Sequence, residues 1–428
     1  MAGLKRDIGA IGAAFIALNG IVGAGIFAMP QLLVDGAGAA SAYLILIFGA
    51  AMVFVALVFG ELAARFDGAG GPVLYGDAAF GRFVGFQMGW LFFLARAAAI
   101  GANTNALLTY LAVFAPGVDQ GLARFVVITA LLVVLIAINI AGVKNAVRTL
   151  NVVTVLKLAP LICLLLWGLY AFAGSVPAPT APTLDQAENV GLLLLYAFVG
   201  FEIATITAGE TQDAKKRVPL ALVGTIAAMT ALYFLVQLAY IAIMQGRAPE
   251  GAALSAAAEI LAGPAGAAAI TLAAIVSIGG NLFAGMITTP RVTYALAAEG
   301  ALPRWFGALN TRFATPANSI VFFGVVVGAL ALSGAFVWLA VMSALARMVI
   351  YLVCTGALMK LRRAAPAPAK PLPARLLGWI APPLAALLCV WAMAQASGEA
   401  WAFLAGFSLA GAALYALARW RAGKASPI

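Results

Sequence analysis

Apolar residues run along this chain in long blocks, divided by short stretches that carry most of the charged residues. A block of about 20 apolar residues is the length of helix that crosses a bilayer. The two-residue alternation of a membrane barrel is absent. The pattern predicts an all-α polytopic membrane protein with twelve transmembrane helices, over 8–30, 37–64, 83–115, 122–141, 149–174, 189–209, 218–244, 268–298, 317–333, 336–359, 376–396 and 400–419. Pro/Ala-rich segments at Ser175–Pro182 and Ala364–Ala374 separate some of them.

Two of these blocks carry their own interruptions. The first contains Asn19-Gly20-Ile21-Val22-Gly23-Ala24-Gly25-Ile26-Phe27-Ala28-Met29-Pro30, with three glycines in six positions. Such a run favours non-helical backbone, which lipid tolerates only where the break lines an enclosed cavity. The same small residues would also suit a face for close helix packing. The sixth block reads Leu195-Tyr196-Ala197-Phe198-Val199-Gly200-Phe201-Glu202-Ile203-Ala204-Thr205, a glycine between aromatics with a carboxylate two residues on. Blocks one and six hold the same place in two consecutive sets of five, and an odd number of spans per set inverts the second copy. Interrupted segments at matching positions of two inverted halves mark a binding site at the membrane midplane. That weighs against the packing alternative.

Composition agrees with the pattern. Of 428 residues 64% are hydrophobic and 9% charged, and the mean hydropathy is +1.06, more apolar surface than a soluble core can use. With the N-terminus in the cytoplasm, twenty of the 25 Lys and Arg residues fall on that side. Only Arg124 and Arg247 fall on the other, with Arg96, Lys157 and Arg347 inside spans. This is the positive-inside asymmetry. The net charge of +10 thus reflects topology and gives no reason to invoke nucleic acid. The first block follows Lys5 and Arg6, as a signal peptide would, but its length and its many equals mark it as a retained span. There is no histidine, so proton chemistry would fall to Asp, Glu or Lys. Cys163, Cys354 and Cys389 read as buried small hydrophobes without disulfide or metal spacing.

The Gly-Ile-Val-Gly-Ala-Gly-Ile-Phe run of span one resembles the signature of the amino acid–polyamine–organocation (APC) superfamily. So do Phe198–Glu202, the following Ala208-Gly209-Glu210-Thr211, and the basic loop Lys215-Lys216-Arg217-Val218-Pro219. Pro290–Pro303 and Thr315-Pro316-Ala317-Asn318 resemble the stretch after span eight, so the resemblance covers residues 8 to about 320. It implies a LeuT-like five-plus-five inverted repeat, over 1–174 and 175–361, with discontinuous helices 1 and 6 and two C-terminal helices in 362–428. It also implies an amino acid permease, a secondary active transporter working by alternating access in the cell membrane. A bacterial inner membrane is expected, with both termini cytoplasmic.

Amides freed at the start of a half-helix favour an anion, here a substrate carboxylate, and carbonyls freed around Phe198 and Val199 can accept from its ammonium. The resemblance places Ile21, Val22, Gly23, Ala24 and Gly25 on the carboxylate side, Phe198, Gly200 and Phe201 opposite, and Asn281 in the pocket, with Tyr196 and Phe201 as gates. Lys157 resembles the lysine that stands at the cation site in sodium-independent members. It lies about nine residues, roughly 13 Å, into its span and could instead snorkel. Glu202 resembles a proton-sensing carboxylate and could equally be structural. Glu61 is expected to cap or pair at the end of span two, and Arg96 and Arg347 to form scaffold ion pairs, with a substrate role as the alternative for both. No metal and no cofactor are implied; the partners are a small-molecule amino acid, lipid and, through Lys157 or Glu202, protons.

An apolar pocket around Val22, Ala24 and Phe201 favours neutral amino acids. The alternative is a cationic amino acid or polyamine transporter or exchanger, for which Glu202 is the one plausible counter-charge. An enzyme is excluded because the spans hold no Asp pair and the chain no histidine. A non-transporting sensor is the third reading.

Overall fold

The computed structural model describes residues 9–66, 70–142, 146–178, 180–206, 208–364 and 372–424. Side chains are described throughout these except at 10–11, 146–158, 210, 372–375 and 422–424. Among the described residues every regular element is helical. Span one becomes α1 (Ala10–Ile21), α2 (Gly25–Ala28) and α3 (Pro30–Ala37), followed by α4 (Ser41–Arg65). A short helix α5 (Pro72–Phe80), not expected from the pattern, has Pro at its first turn and Gly81 just past its end. Then come α6 (Arg82–Leu111), α7 (Gly121–Ala141), α8 (Ala146–Ala171), α9 (Leu184–Phe198), α10 (Ile203–Ile206) and α11 (Ala214–Met244). The chain continues through α12 (Ala253–Thr288), α13 (Pro290–Ala298), α14 (Ala317–Ser333), α15 (Phe336–Ala364), α16 (Leu372–Ala394) and α17 (Gly398–Lys424).

Nine stretches among the described residues are long and apolar enough to cross a membrane. Three shorter apolar helices, Gly12–Ala28, Ala159–Ala171 and Ala317–Ser333, coincide with expected spans one, five and nine. The first is shortened by its break. Ala262 and Gly263 leave helical dihedrals ahead of Pro264 and kink α12, setting off a preceding helical segment from Ala253, so span eight itself starts near its expected place. Thr289 and Pro290 then set off its tail as α13.

Helix α6 is the axis of the molecule: from Gly85 to Tyr110 nearly every side chain is buried. By contrast α7, α8, α16 and α17 turn Leu122, Phe125, Val133, Leu166, Trp167, Leu387 and Leu409 outward. An apolar exterior suits lipid, which offers no hydrophobic drive to hide such residues. Cys163 belongs to that outward face and is not buried as expected, whereas Cys354 and Cys389 are buried thiols. Glu61 pairs at both oxygens with Arg362, at 2.8 Å each, and with Arg65 at 3.2 Å, tying the end of α4 to α15.

Both expected breaks are present, and they touch. Helix α1 closes with Val22 N–H donating to Leu18 at 2.8 Å and Gly23 N–H to Ile21 at 2.9 Å. Helix α9 ends at Phe198, and α10 resumes at Ile203. Between them Gly200 has φ +110°, a conformation that side chains disfavour. A Cβ on Gly20 would stand 2.2 Å from the Gly200 carbonyl oxygen, and one on Gly200 would stand 2.2 Å from that of Gly20. The two interrupted spans therefore cross backbone to backbone.

Gly20→Ala and Gly200→Ala should each cost about 2 kcal/mol or more, because backbone must move to admit the methyl group. Gly25 is different: a Cβ there meets nothing nearer than 3.5 Å, so Gly25→Ala should keep wild-type stability or gain up to about 1 kcal/mol. Thermal unfolding of the three purified variants checks the contrast.

Candidate functional site

The half-helix after the first break is held from several sides. Met29 keeps helical dihedrals, donates to Gly25 at 3.0 Å and accepts from Leu33 at 2.9 Å, so α2 and α3 act as one kinked rod. Tyr110 of α6 donates its hydroxyl to the Phe27 carbonyl at 2.9 Å. Gln237 of α11 donates to the Pro30 carbonyl at 3.1 Å, and Tyr240 donates to Gln31 at 2.5 Å.

The break itself is secured by one amide, Asn103 of α6. Its Oδ1 accepts from the Ala24 N–H at 3.2 Å and from the Tyr196 hydroxyl at 3.0 Å. Its Nδ2 donates to Asn281 Oδ1 at 2.8 Å, and Asn281 in turn donates to the Asn19 carbonyl at 3.0 Å. The broken span α1–α2 and helices α6, α9 and α12 thus meet on two buried asparagines.

The second break is secured by Glu202. Its Oε2 accepts from the Gly200 N–H at 2.8 Å and the Tyr351 hydroxyl at 2.7 Å, and its Oε1 from Arg347 Nε at 2.9 Å. Arg347 Nη1 reaches the Ala95 carbonyl at 3.4 Å and also bonds Ser343, whose hydroxyl donates to the same carbonyl at 2.9 Å. The scaffold pairing expected of Arg347 is therefore present. Arg96, expected to be paired as well, has no hydrogen bond or ion pair among the described residues.

Between the two breaks lies a cavity of about 20 Å³, lined by Gly25, Ile26, Met29, Pro30, Leu33 and Ile45 on one side. Leu194, Ala197, Phe198, Tyr233, Val236 and Gln237 line the other. The amides of Gly25 and Ile26 donate to no acceptor among the described residues, since the break removes their i−4 carbonyls. Across the gap Ala197 and Phe198 have lost the donors that a continuous α9 would supply. Tyr233 adds a buried hydroxyl without a partner. Residues with free amides thus line one wall, and residues with free carbonyls the other.

Of the residues expected at the site, Gly25 and Phe198 line this cavity, while Ile21 to Ala24 and Gly200 form the breaks beside it. Asn281 and Tyr196 belong to the asparagine network. Phe201 is elsewhere: its ring packs edge-on against Phe59 at 5.5 Å and against Tyr351 at 5.5 Å, behind the break. Lys157 falls in α8, and its side chain lies outside the described residues. Asn103, Tyr233 and Gln237 were not anticipated. A signal for the first existed, because Asn103-Thr104-Asn105 puts two amides in mid-span, where a polar group must find a partner.

The profile of the amino acid permease family matches residues 8–415. The chain belongs to that family. It is 30% identical to an uncharacterized transporter of Mycobacterium tuberculosis over 278 residues, 63% of this chain and 61% of that protein. It is 28% identical to a serine/threonine exchanger of Bacillus subtilis over 273 residues, 61% of each chain. It is 26% identical to a D-serine/D-alanine/glycine transporter of Escherichia coli over 261 residues, 56% of this chain and 54% of the relative. The chain thus spans about three fifths of the length of the first relatives it matches. This family member is a multi-pass membrane protein, with its apolar helices and matched profile in agreement.

Glu202→Gln should leave Arg347 buried without a counter-charge and cost about 3–5 kcal/mol. Replacing both partners, Glu202→Gln with Arg347→Met, should recover a large part of that loss. Thermal unfolding of the single and double variants in detergent measures it; a Glu202→Gln protein as stable as wild type would show that the pair is not what holds the second break.

Proposed function

We propose that this protein is a secondary active transporter that carries small neutral α-amino acids by alternating access. The observation that supports this best is the pairing of free N–H groups on Gly25 and Ile26 with free carbonyls on Ala197 and Phe198 across one buried cavity. A zwitterion presents a carboxylate to the donors and an ammonium to the acceptors, so backbone alone can read the part that all amino acids share. The side chain would face Leu33, Ile45, Leu194 and Val236, with Gln237 and the Tyr233 hydroxyl at hand. That lining favours a small, uncharged group. Two relatives named for serine, threonine, alanine or glycine point the same way.

The cationic alternative loses support from the ion pair. A polyamine or arginine side chain needs a carboxylate to spare, and Glu202 is taken up by Arg347, Tyr351 and Gly200. Its proton-sensing role is weakened on the same ground.

The twelve-span, five-plus-five inverted architecture is part of this reading, with repeats over 1–174 and 175–361, the remainder appended, and both termini in the cytoplasm of a bacterial cell. So is sodium independence, with Lys157 supplying the positive charge beside span one that sodium brings elsewhere. At about 20 Å³ the cavity holds a water molecule or two. An amino acid enters only as the half-helices part, which couples binding to the conformational cycle.

A thermal-shift screen of the twenty amino acids and common polyamines should single out small neutral ones, since a ligand stabilises the state it binds. Gly25→Leu should fold but lose uptake into proteoliposomes at least tenfold, its side chain occupying the place of the carboxylate; normal uptake would remove the cavity as the site. Replacing sodium by choline should leave wild-type uptake unchanged, while Lys157→Ala should be severely impaired. A sodium requirement, or a fully active Lys157→Ala, would end the sodium-independent reading.

A further inference from the structure

The charges buried among the described residues do not balance. They are Arg96, Glu202 and Arg347, and the carboxylate is committed to Arg347. Arg96 is only 4% exposed, within electrostatic reach of Glu202, Arg347 and Tyr196, yet without a hydrogen bond or ion pair. A buried guanidinium with no partner is costly and is not explained by scaffolding.

The space around it is built to keep that group. A Cβ on Gly285 would stand 2.3 Å from Ile100 Cδ1 and 3.0 Å from Arg96 Nη2, so α12 gives up a side chain where Ile100 and Arg96 of α6 press against it. Thr289, one turn further on at the junction of α12 and α13, is buried with a hydroxyl that has no partner among the described residues. Gly285 is likewise one turn from Asn281, so the Asn103–Asn281 contact and the Arg96–Gly285 contact lie along one α6–α12 seam. Arg96 is seven residues before Asn103, two turns or about 10 Å toward the N-terminal end of α6, which a cytoplasmic N-terminus and three successive spans put on the cytoplasmic side.

We propose that Arg96 is a second, transient carboxylate site, which receives the carboxylate of a zwitterionic substrate as it passes from the cavity between the breaks toward the cytoplasm. This rests on the transport reading above. One guanidinium beyond the neutral Glu202–Arg347 pair makes that layer net positive: it draws a carboxylate onward and repels a polyamine, which has no carboxylate to offer. A chloride ion would satisfy the same group, so the test must separate the two.

L-serine is the probe, with equilibrium binding to the purified full chain and counterflow in proteoliposomes as readouts. Arg96→Gln should bind L-serine within about threefold of wild type but slow counterflow at least tenfold, and Arg96→Lys should retain a third or more of the rate. The melting temperature of Arg96→Gln should equal or exceed that of wild type, because an unpartnered charge has gone. Wild-type counterflow should be unchanged when chloride is replaced by methanesulfonate. Normal counterflow in Arg96→Gln overturns the inference, and so does a lowered melting temperature with binding lost in proportion, which would make Arg96 a packing residue. Dependence on chloride overturns it in favour of an inorganic anion. Wild-type protein that binds none of the screened amino acids fails earlier, at the transport reading itself.

Discussion

The peptide groups freed between α1 and α2, and between α9 and α10, lie where bulk water does not reach, so each must find its partner within the protein. Three side chains, two from neighbouring helices and one from within the second break, answer most of that demand. Asn103 takes the Ala24 amide, Asn281 the Asn19 carbonyl and Glu202 the Gly200 amide. Meeting it also requires the breaks to be close together. Hence the contact of Gly20 with Gly200, where the missing side chains serve approach rather than flexibility. Among the described residues, the unmatched groups at Gly25 and Ile26 on one wall and Ala197 and Phe198 on the other lie at the cavity between the breaks.

The Glu202–Arg347 pair belongs to the same logic. Two charges taken out of water regain their desolvation cost only with good geometry and further hydrogen bonds, and an apolar pair of the same size is often as stable. Here the carboxylate has three donors and the guanidinium reaches Ala95 and Ser343 besides. Leucine in place of Glu202 could not hold the Gly200 amide. The pair connects the turn before α10 to α15 and, through the Ala95 carbonyl, to α6, so the second break is referenced to a helix that is buried along most of its length.

Much of this was legible in the chain, and the reasons differ by residue. Both breaks could be read because Gly20, Gly23, Gly25 and Gly200 disturb blocks that are otherwise uniformly apolar. The helices could be read because lipid imposes a length. Partners across the fold could not, since nothing local links Arg347 to Glu202, 145 positions away. Phe201 shows how side-chain direction escapes a linear reading: Gly200, with φ +110°, turns the chain and sends the ring toward Phe59 and Tyr351. Asn103 was legible in principle, as a mid-span amide, but its weight comes from what converges on it. Helix α5 escaped because its nine residues are too few to stand out beside blocks of 20 or more.

The asparagine network also sets how the site can respond to a guest. Asn103 Oδ1 already neutralises the Ala24 amide, the donor next to the two free ones, and holds Tyr196 of α9 by the same oxygen. An anion settling on Gly25 and Ile26 must either share that corner with Oδ1, where two acceptors repel, or push it aside. Pushing it aside frees the Tyr196 hydroxyl and loosens α9 from α6, while Asn103 Nδ2 keeps its hold on Asn281. A ligand shifts a conformational equilibrium only by what it gains in one state over the other. Here the difference is concrete: with Oδ1 in place the donors are crowded, and with Oδ1 displaced they are open. On the transport reading, occupancy of the cavity would be converted into separation of the two broken spans, because Asn103 Oδ1 cannot hold both Ala24 and Tyr196 once it is displaced.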